Sequence, residues 1–278
     1  YNLGIRPLEE GAFLFRHADG RESFLPVLEP GDSYFDRKEQ LSWTLDGRGY
    51  LLTDIRGLQY RFDGPENRSG YRMVSGISTK DGFRLRFEYA SGGRLAGIIS
   101  SRGEFLKVET DESGRVLCVS VNQDGEEVKL VRYRYDDRGD MVETIDALDV
   151  SKHFVYTDGH LLVQLTNQGG MAFHWEYEGK GENARCVHTW GDGGVMEYFI
   201  RYGKGYTHIR NGEGAETEYH YGEDKLIYKI VDANGGITRQ QYNGYQELEV
   251  TVNPEGYTRK TSYNESGQPV RITDENGE

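Results

Sequence analysis

The chain has 278 residues, of which only 36% are hydrophobic, with 20 Tyr against 11 Phe, and that is thin for one deep globular core. Its 33 basic and 46 acidic residues leave a net charge of −13, which opposes the counterion release that drives nucleic-acid binding and the attraction of anionic lipid, so neither partner is expected. No apolar run approaches the roughly 20 residues of a transmembrane helix, and no signal peptide opens the chain. The start at Tyr1 without Met and the turn-like end at residues 274–277 suggest a fragment of something longer.

Residues 1–75 read as a distinct β-rich N-terminal region. Strand-like pieces are expected at residues 41–45, 50–53 and 58–62, with residues 24–36 (FLPVLEPGDSYFD) as a Pro-containing connection. Residues 76–278 read differently. With 37 Gly and 6 Pro the chain is densely punctuated, and turns are expected at Gly82, Gly92, Gly103, Gly114, Gly125, Gly139, Gly159, Gly169, Gly235, Gly244, Gly256, Gly267 and Gly277. Between turns the pattern has period two: Phe83, Leu85, Phe87 and Tyr89 share one face and Arg84, Arg86 and Glu88 the other, the signature of a half-buried strand. The same face recurs as Phe173, Trp175 and Tyr177, as Met196, Tyr198, Ile200 and Tyr202, and, with polar middle positions, as Tyr257, Arg259, Thr261 and Tyr263. Helix periodicity is absent.

Above the strand spacing lies a longer period. Tyr135, Tyr156 and Tyr177 fall 21 residues apart, and so do Tyr221, Tyr242 and Tyr263. Each Tyr ends a strand, a polar turn with Gly follows, and an aliphatic residue begins the next strand: YDDRGDM at Tyr135, YTDGHLL at Tyr156, YGEDKLI at Tyr221, YNESGQPV at Tyr263. The ring supplies packing area and the hydroxyl a bond to turn backbone or water. Asp or Asn starts the turn through its own backbone, and Gly accepts the positive φ. A single hairpin is marginal in water, so neighbours must stack, and an all-β, elongated, curved antiparallel sheet of hairpin repeats is expected. The period breaks at Tyr202, 25 residues after Tyr177 and 19 before Tyr221. The structural repeat tyrosines are Tyr89, Tyr135, Tyr156, Tyr177, Tyr221, Tyr242 and Tyr263.

These residues resemble the Rhs or YD-repeat proteins, especially the polymorphic-toxin effectors exported by bacterial type VI secretion. Residues 133–149 (YRYDDRGDMVETIDALD) are similar to the family repeat, and residues 130–140, 182–194 (ENARCVHTWGDGG) and 28–36 (LEPGDSYFD) add to the likeness, the last resembling the region that precedes the repeats. The resemblance implies a wall segment of a hollow β-cocoon around a C-terminal toxin, held in the bacterial cytoplasm before export and delivered into a target cell. It names the toxin domain as cargo, and the secretion spike, its PAAR tip, a chaperone or other Rhs segments as further partners. No PAAR domain, self-cleaving closing motif or toxin segment is visible here, and the YD dipeptide is intact only at Tyr135 and Asp136.

Chemistry is hard to place in this pattern. Carboxylate neighbours such as Asp136 with Asp137, or Glu126 with Glu127, are expected by chance among so many acids, and a glycosidase pair needs a cleft that sequence does not show. His17, His153, His160, His174, His188, His208 and His220 fit no zinc-ligand spacing, and no G-x-S-x-G elbow occurs. Gly179, Gly181 and Ala184 spell a dinucleotide-like G-x-G-x-x-A, but strand and turn, not helix, are expected after it. Cys118 and Cys186 read as buried thiols, and Asn67 and Asn264 open N-x-S sequons that matter only in a glycosylating compartment. No catalytic residue, cofactor or metal is therefore assigned, and the expectation is a non-catalytic scaffold. The alternative is a carbohydrate- or receptor-binding surface module, with Trp190 in the WGDGG loop as its contact residue.

Overall fold

Alternating polar and apolar residues become strands throughout the computed structural model, which describes residues 3–8 and 11–274. Among these residues there are 27 strands, two three-residue 3-10 turns and no α-helix. The expected all-β antiparallel architecture of stacked hairpins is therefore present. The turn-like end at residues 275–277 lies outside the described residues. The chain divides into two compact units, Tyr1–Arg134 with Ile145–Asp149, and Tyr135–Thr144 with Val150–Glu278.

The first unit holds a four-stranded antiparallel sheet in the order Glu22–Pro26, Ala12–Arg16, Gly4–Pro7, Arg72–Met73. It also holds an antiparallel meander that runs through Ser33–Asp36, Leu41–Asp46, Gly49–Thr53, Gln59–Phe62, Gly76–Ser78 and Arg84–Ala90 and on to Val116–Gln123. Register puts Trp43 opposite Leu52 and Tyr50 opposite both Leu45 and Phe62, so the period-two alternation collects these rings on one face. Ile5, Phe15 and Leu25 from the small sheet join Trp43, Leu52, Phe62 and Phe87 from the meander in one buried cluster. Phe15 meets Trp43 edge-on at 4.8 Å and Phe62 at 5.9 Å, the geometry that the ring quadrupole favours. Residues 24–36 are more ordered than a plain connection. Glu22–Pro26 is an edge strand, where Pro costs no ladder bond; Leu28 is buried; and Gly31 and Asp32 bond the backbone of Leu45 before Ser33–Asp36 begins.

The second unit is a meander from Ser151–Tyr156 to Pro269–Thr273, each strand antiparallel to the next. Of its described residues only Ala172, Gly191 and His208 are buried. Its turns are built alike. At Asn211 the backbone N–H donates to Ala215 O (2.9 Å), Gly214 N–H donates back to Asn211 O (3.0 Å), and the Asn211 Oδ1 accepts from Glu213 N (3.1 Å) and Ala215 N (2.8 Å). Asp136, Asn167, Asp232, Asn243 and Asn264 repeat the same side-chain arrangement. In these turns, and in those that open at Thr157 and Gly222, the residue that takes positive φ is the fourth. This corrects three of the expected glycines: the positive φ belongs to His160 (63°), Gly170 (84°) and Gln246 (65°), and not to Gly159, Gly169 or Gly244. The same backbone frame closes whether Asx, Thr157 or Gly222 opens the turn, so the fourth position and not a glycine marks the positive φ.

Candidate functional site

The repeat tyrosines stand at one position of this frame. A β-bulge immediately precedes Tyr89, Tyr156, Tyr177, Tyr221, Tyr242 and Tyr263, and Tyr135 ends its strand. An unpaired residue twists the strand there and re-aims the side chain. The hydroxyl then reaches back one hairpin. Tyr177 donates to Leu162 O (2.9 Å), Tyr242 to Ile227 O (3.0 Å) and Tyr263 to Leu248 O (2.7 Å). Leu162, Ile227 and Leu248 are the strand partners of the preceding tyrosines, Tyr156, Tyr221 and Tyr242. Each tyrosine thus ties its own bulge to the previous one. Tyr89 makes the corresponding bond to Val74 O (2.6 Å) in the first unit.

The break at Tyr202 disappears in three dimensions. Tyr202 donates to Cys186 O (2.9 Å), and Cys186 is the partner of Tyr177; Tyr221 in turn points to Tyr206 O at 3.4 Å. The long step from Tyr177 is taken up by the 3-10 turns Gly181–Asn183 and Asp192–Gly194, and the short step to Tyr221 by the tight, unbulged hairpin at Gly203 and Tyr206. Tyr202 is therefore a repeat tyrosine that counting residues misses. Desolvation on burial, the largest influence, holds the Tyr156, Tyr177, Tyr202 and Tyr242 hydroxyls above their ordinary value, so for Tyr177, Tyr202 and Tyr242 the proton that makes the ladder bond is retained.

Strands Ala172–Glu178, Arg185–Gly191, Val195–Gly203, Tyr206–Asn211 and Glu216–Tyr221 carry two unlike faces. Cross-strand pairs place Trp175, Thr189, Tyr198 on one face, with Ile200 opposite Ile209 and Thr207 opposite Tyr219. This face is aromatic and incompletely covered, with Tyr198 42% and Tyr202 38% exposed. Shallow apolar hollows of about 540 Å³ and 390 Å³ lie over Ile209 and Tyr219. The opposite face is polar. His174, Trp190, His188 and Phe199 form a stacked run with ring centroids 5.0, 4.2 and 4.2 Å apart, and Arg210 lies over Phe199 at 4.1 Å. Carboxylates pair with the imidazoles: Asp192 with His174, Glu176 and Glu197 with His188, Glu216 with His208, Glu218 with His220.

The other sequence candidates fall into this scaffold. Asp136 Oδ1 caps its turn; desolvation opposes its ionisation, but bonds from Asp140 N–H and Arg138 outweigh it and hold the carboxyl below the ordinary range. Asp192 is held low first by Ala172 N–H (2.9 Å) and then by His174. Glu127 accepts from Ser120 and Lys107. The Asn67 and Asn264 amide oxygens cap turns. One 3-10 turn follows Gly179 where a dinucleotide site would have a helix. Cys118 is buried and Cys186 half-buried, and burial pushes both thiols up, away from the nucleophilic thiolate. Among the described residues no three His, Cys, Asp or Glu side chains gather as a metal site requires. The Trp190 ring is already stacked on two imidazoles, which occupies the surface that a sugar ring would need.

No family model matches the chain. It is 28% identical over 220 residues to double-stranded DNA deaminase toxin A of Burkholderia cenocepacia, covering 76% of this chain and 15% of that toxin. It is 24% identical to toxin protein Tse5 of Pseudomonas aeruginosa, over 96% of this chain and 24% of that one, and 24% identical to the probable deoxyribonuclease RhsB of Dickeya dadantii, over 55% and 10%. The chain thus spans about a quarter or less of the length of these relatives. Among solved structures, the TcdB2-TccC3 complex aligns over 98% of this chain and 20% of its own, at 9% identity and a TM-score of 0.30. The homologues of this chain are Rhs-family polymorphic toxins.

Proposed function

We propose that the chain is a non-catalytic wall segment of an Rhs shell, which encloses the C-terminal toxin of a longer protein and takes part in its delivery between bacteria. The observation that carries this reading is the tyrosine ladder. Tyr177, Tyr202, Tyr242 and Tyr263 each tie a hairpin to its predecessor by a hydroxyl–carbonyl bond, at a bulge in every case but Tyr202, so the sheet extends by repetition and needs no second layer behind it. A single-layer wall hides its backbone donors and acceptors and offers only side chains to what it surrounds. On the strands Ala172–Glu178 to Glu216–Tyr221 the charged, imidazole-rich face suits water, and the half-exposed tyrosine face is assigned to the enclosed segment.

The division near residue 75 belongs to the same proposal: residues 1–75 supply cored β-structure, and residues 76–278 supply hairpins for the wall. The toxin domain is the cargo. Type VI export from the bacterial cytoplasm is the proposed route, and the spike, its PAAR tip, a chaperone and other Rhs segments are the partners of the assembled effector.

Limited proteolysis of the longer protein that carries this segment tests the reading. The C-terminal toxin should resist protease while the wall is intact and become cleavable when the hairpin pair of residues 216–242 is deleted. A toxin that is cut equally fast with the wall intact contradicts enclosure.

A further inference from the structure

A cavity lies in the second unit where the repeat is irregular. It measures about 730 Å³, and Glu178, Phe199, Arg201, His208 and Arg210 are among its walls. Arg201 and Arg210 come from adjacent strands, each opposite a ring of the neighbouring strand: Arg201 pairs with His208 and Phe199 with Arg210.

Among the described residues neither guanidinium is ion-paired, although Glu216 stands opposite Arg210 on the neighbouring strand and Arg201 is exposed. Arg210 lies 4.1 Å over the Phe199 ring, whose stacking on His188 at 4.2 Å and 11° fixes it in turn. Arg201 Nη2 donates to His208 Nδ1 at 3.4 Å; His208 is 8% exposed, and its Nε2 faces Glu216 Oε2 at 3.3 Å. Neither guanidinium has a carboxylate within 4.0 Å among the described residues, in a chain with 46 acidic side chains. Glu178 is the only acid in the lining and makes no ion pair with them. Two like charges kept in one cavity repel, and an anion between them removes that cost while accepting their remaining N–H donors in pairs.

We infer that this cavity binds an oxyanion, a carboxylate or phosphate group, through Arg201 and Arg210, with Phe199 and His208 as positioning residues. Because Arg210 is already oriented by the Phe199 ring, binding orders mainly the exposed Arg201 side chain. The oxyanion can be free in solution or the side chain of an acidic peptide; the recognising chemistry is the same.

Calorimetric titration of the full chain with inorganic phosphate, citrate and acetyl-Glu-Glu-Glu-amide, each alone, tests the site. At least one probe should bind saturably at one site per chain. Arg201→Gln with Arg210→Gln should weaken it at least tenfold, about 1.4 kcal/mol. Arg239→Gln, which removes one positive charge outside the cavity, should leave affinity within about twofold. If the Gln pair fails to fold by circular dichroism, Arg201→Lys with Arg210→Lys keeps the charge and loses the fork, and a clear loss of affinity is again expected. Absence of saturable binding for all three probes, or equal weakening by Arg239→Gln, overturns the proposal. Binding of phosphate or citrate without the peptide assigns a free oxyanion, and displacement of phosphate by the peptide assigns an acidic side chain; both outcomes support the site.

Discussion

The two units solve the same problem, a thin supply of apolar residues, in opposite ways. In the first, two sheets meet, and Trp43, Phe15, Phe62 and Val74 are at most 1% exposed. In the second, the tyrosine face has no such cluster, and order comes from hydrogen bonds that repeat: a capped turn, a bulge and a tyrosine reaching back to the preceding hairpin. The first kind of stability is concentrated in a few side chains, so one truncation damages it. The second kind is distributed, so no single residue dominates, and length is added without a larger core.

That contrast breaks most sharply at the cores. Trp43→Ala should cost the first unit about 3–5 kcal/mol, whereas Trp175→Ala on the open tyrosine face should cost less than about 2 kcal/mol, both read from urea unfolding. Similar losses would dissolve the distinction.

The tyrosine ladder comes next. Tyr177→Phe and Tyr242→Phe keep the ring and remove only the donor to Leu162 O or Ile227 O, so each should cost about 0.5–1.5 kcal/mol in the second unit. The same donors give a pH signature. Burial, first among the causes, raises Tyr177, Tyr202 and Tyr242 above the ordinary 10.0. The folded state therefore favours the neutral phenol: this stability is complete below pH 10 and is lost as pH rises through each folded value. Urea midpoints for the second unit should fall above pH 10, and less steeply in the Tyr177→Phe, Tyr242→Phe double variant.

Smaller effects sit in the turns. Asn211→Ala leaves Glu213 N–H and Ala215 N–H without their shared acceptor and should cost about 1 kcal/mol, seen as faster amide exchange confined to residues 206–221. Lys225→Gly and Gln246→Gly should stabilise by about 0.5 kcal/mol each, because both residues hold a φ of 65° that Gly adopts without strain. Thermal melting decides the sign.

Much of this was legible in the sequence, and the gaps have physical causes. The 21-residue tyrosine spacing reports the hairpin directly, since two strands and two turns fill a fixed length. Tyr202 escaped because the extra residues enter 3-10 turns, which change the count and leave the hydroxyl–carbonyl contact in place. Gln246 escaped because the Asn243 side chain caps a turn with a non-glycine residue at positive φ, and Lys225 because the backbone bonds of Gly222 close the same turn. Residues 1–75 looked irregular and yet contribute the best-packed rings; Phe15 and Trp43 are buried by the meeting of two sheets, a tertiary event with no local period. The stack from His174 to Arg210 likewise depends on register across four strands.

The central claim, that the tyrosine face of the second unit is the face that meets the enclosed toxin, is open to one direct measurement. A photo-crosslinking phenylalanine analogue is placed at Tyr198 or Tyr219 on that face, and at Glu197 or Glu218 on the other, in the longer protein that carries this segment. Adducts with the C-terminal toxin from Tyr198 and Tyr219 alone are the predicted result. Adducts from Glu197 and Glu218 alone, or equally from all four positions, would contradict it.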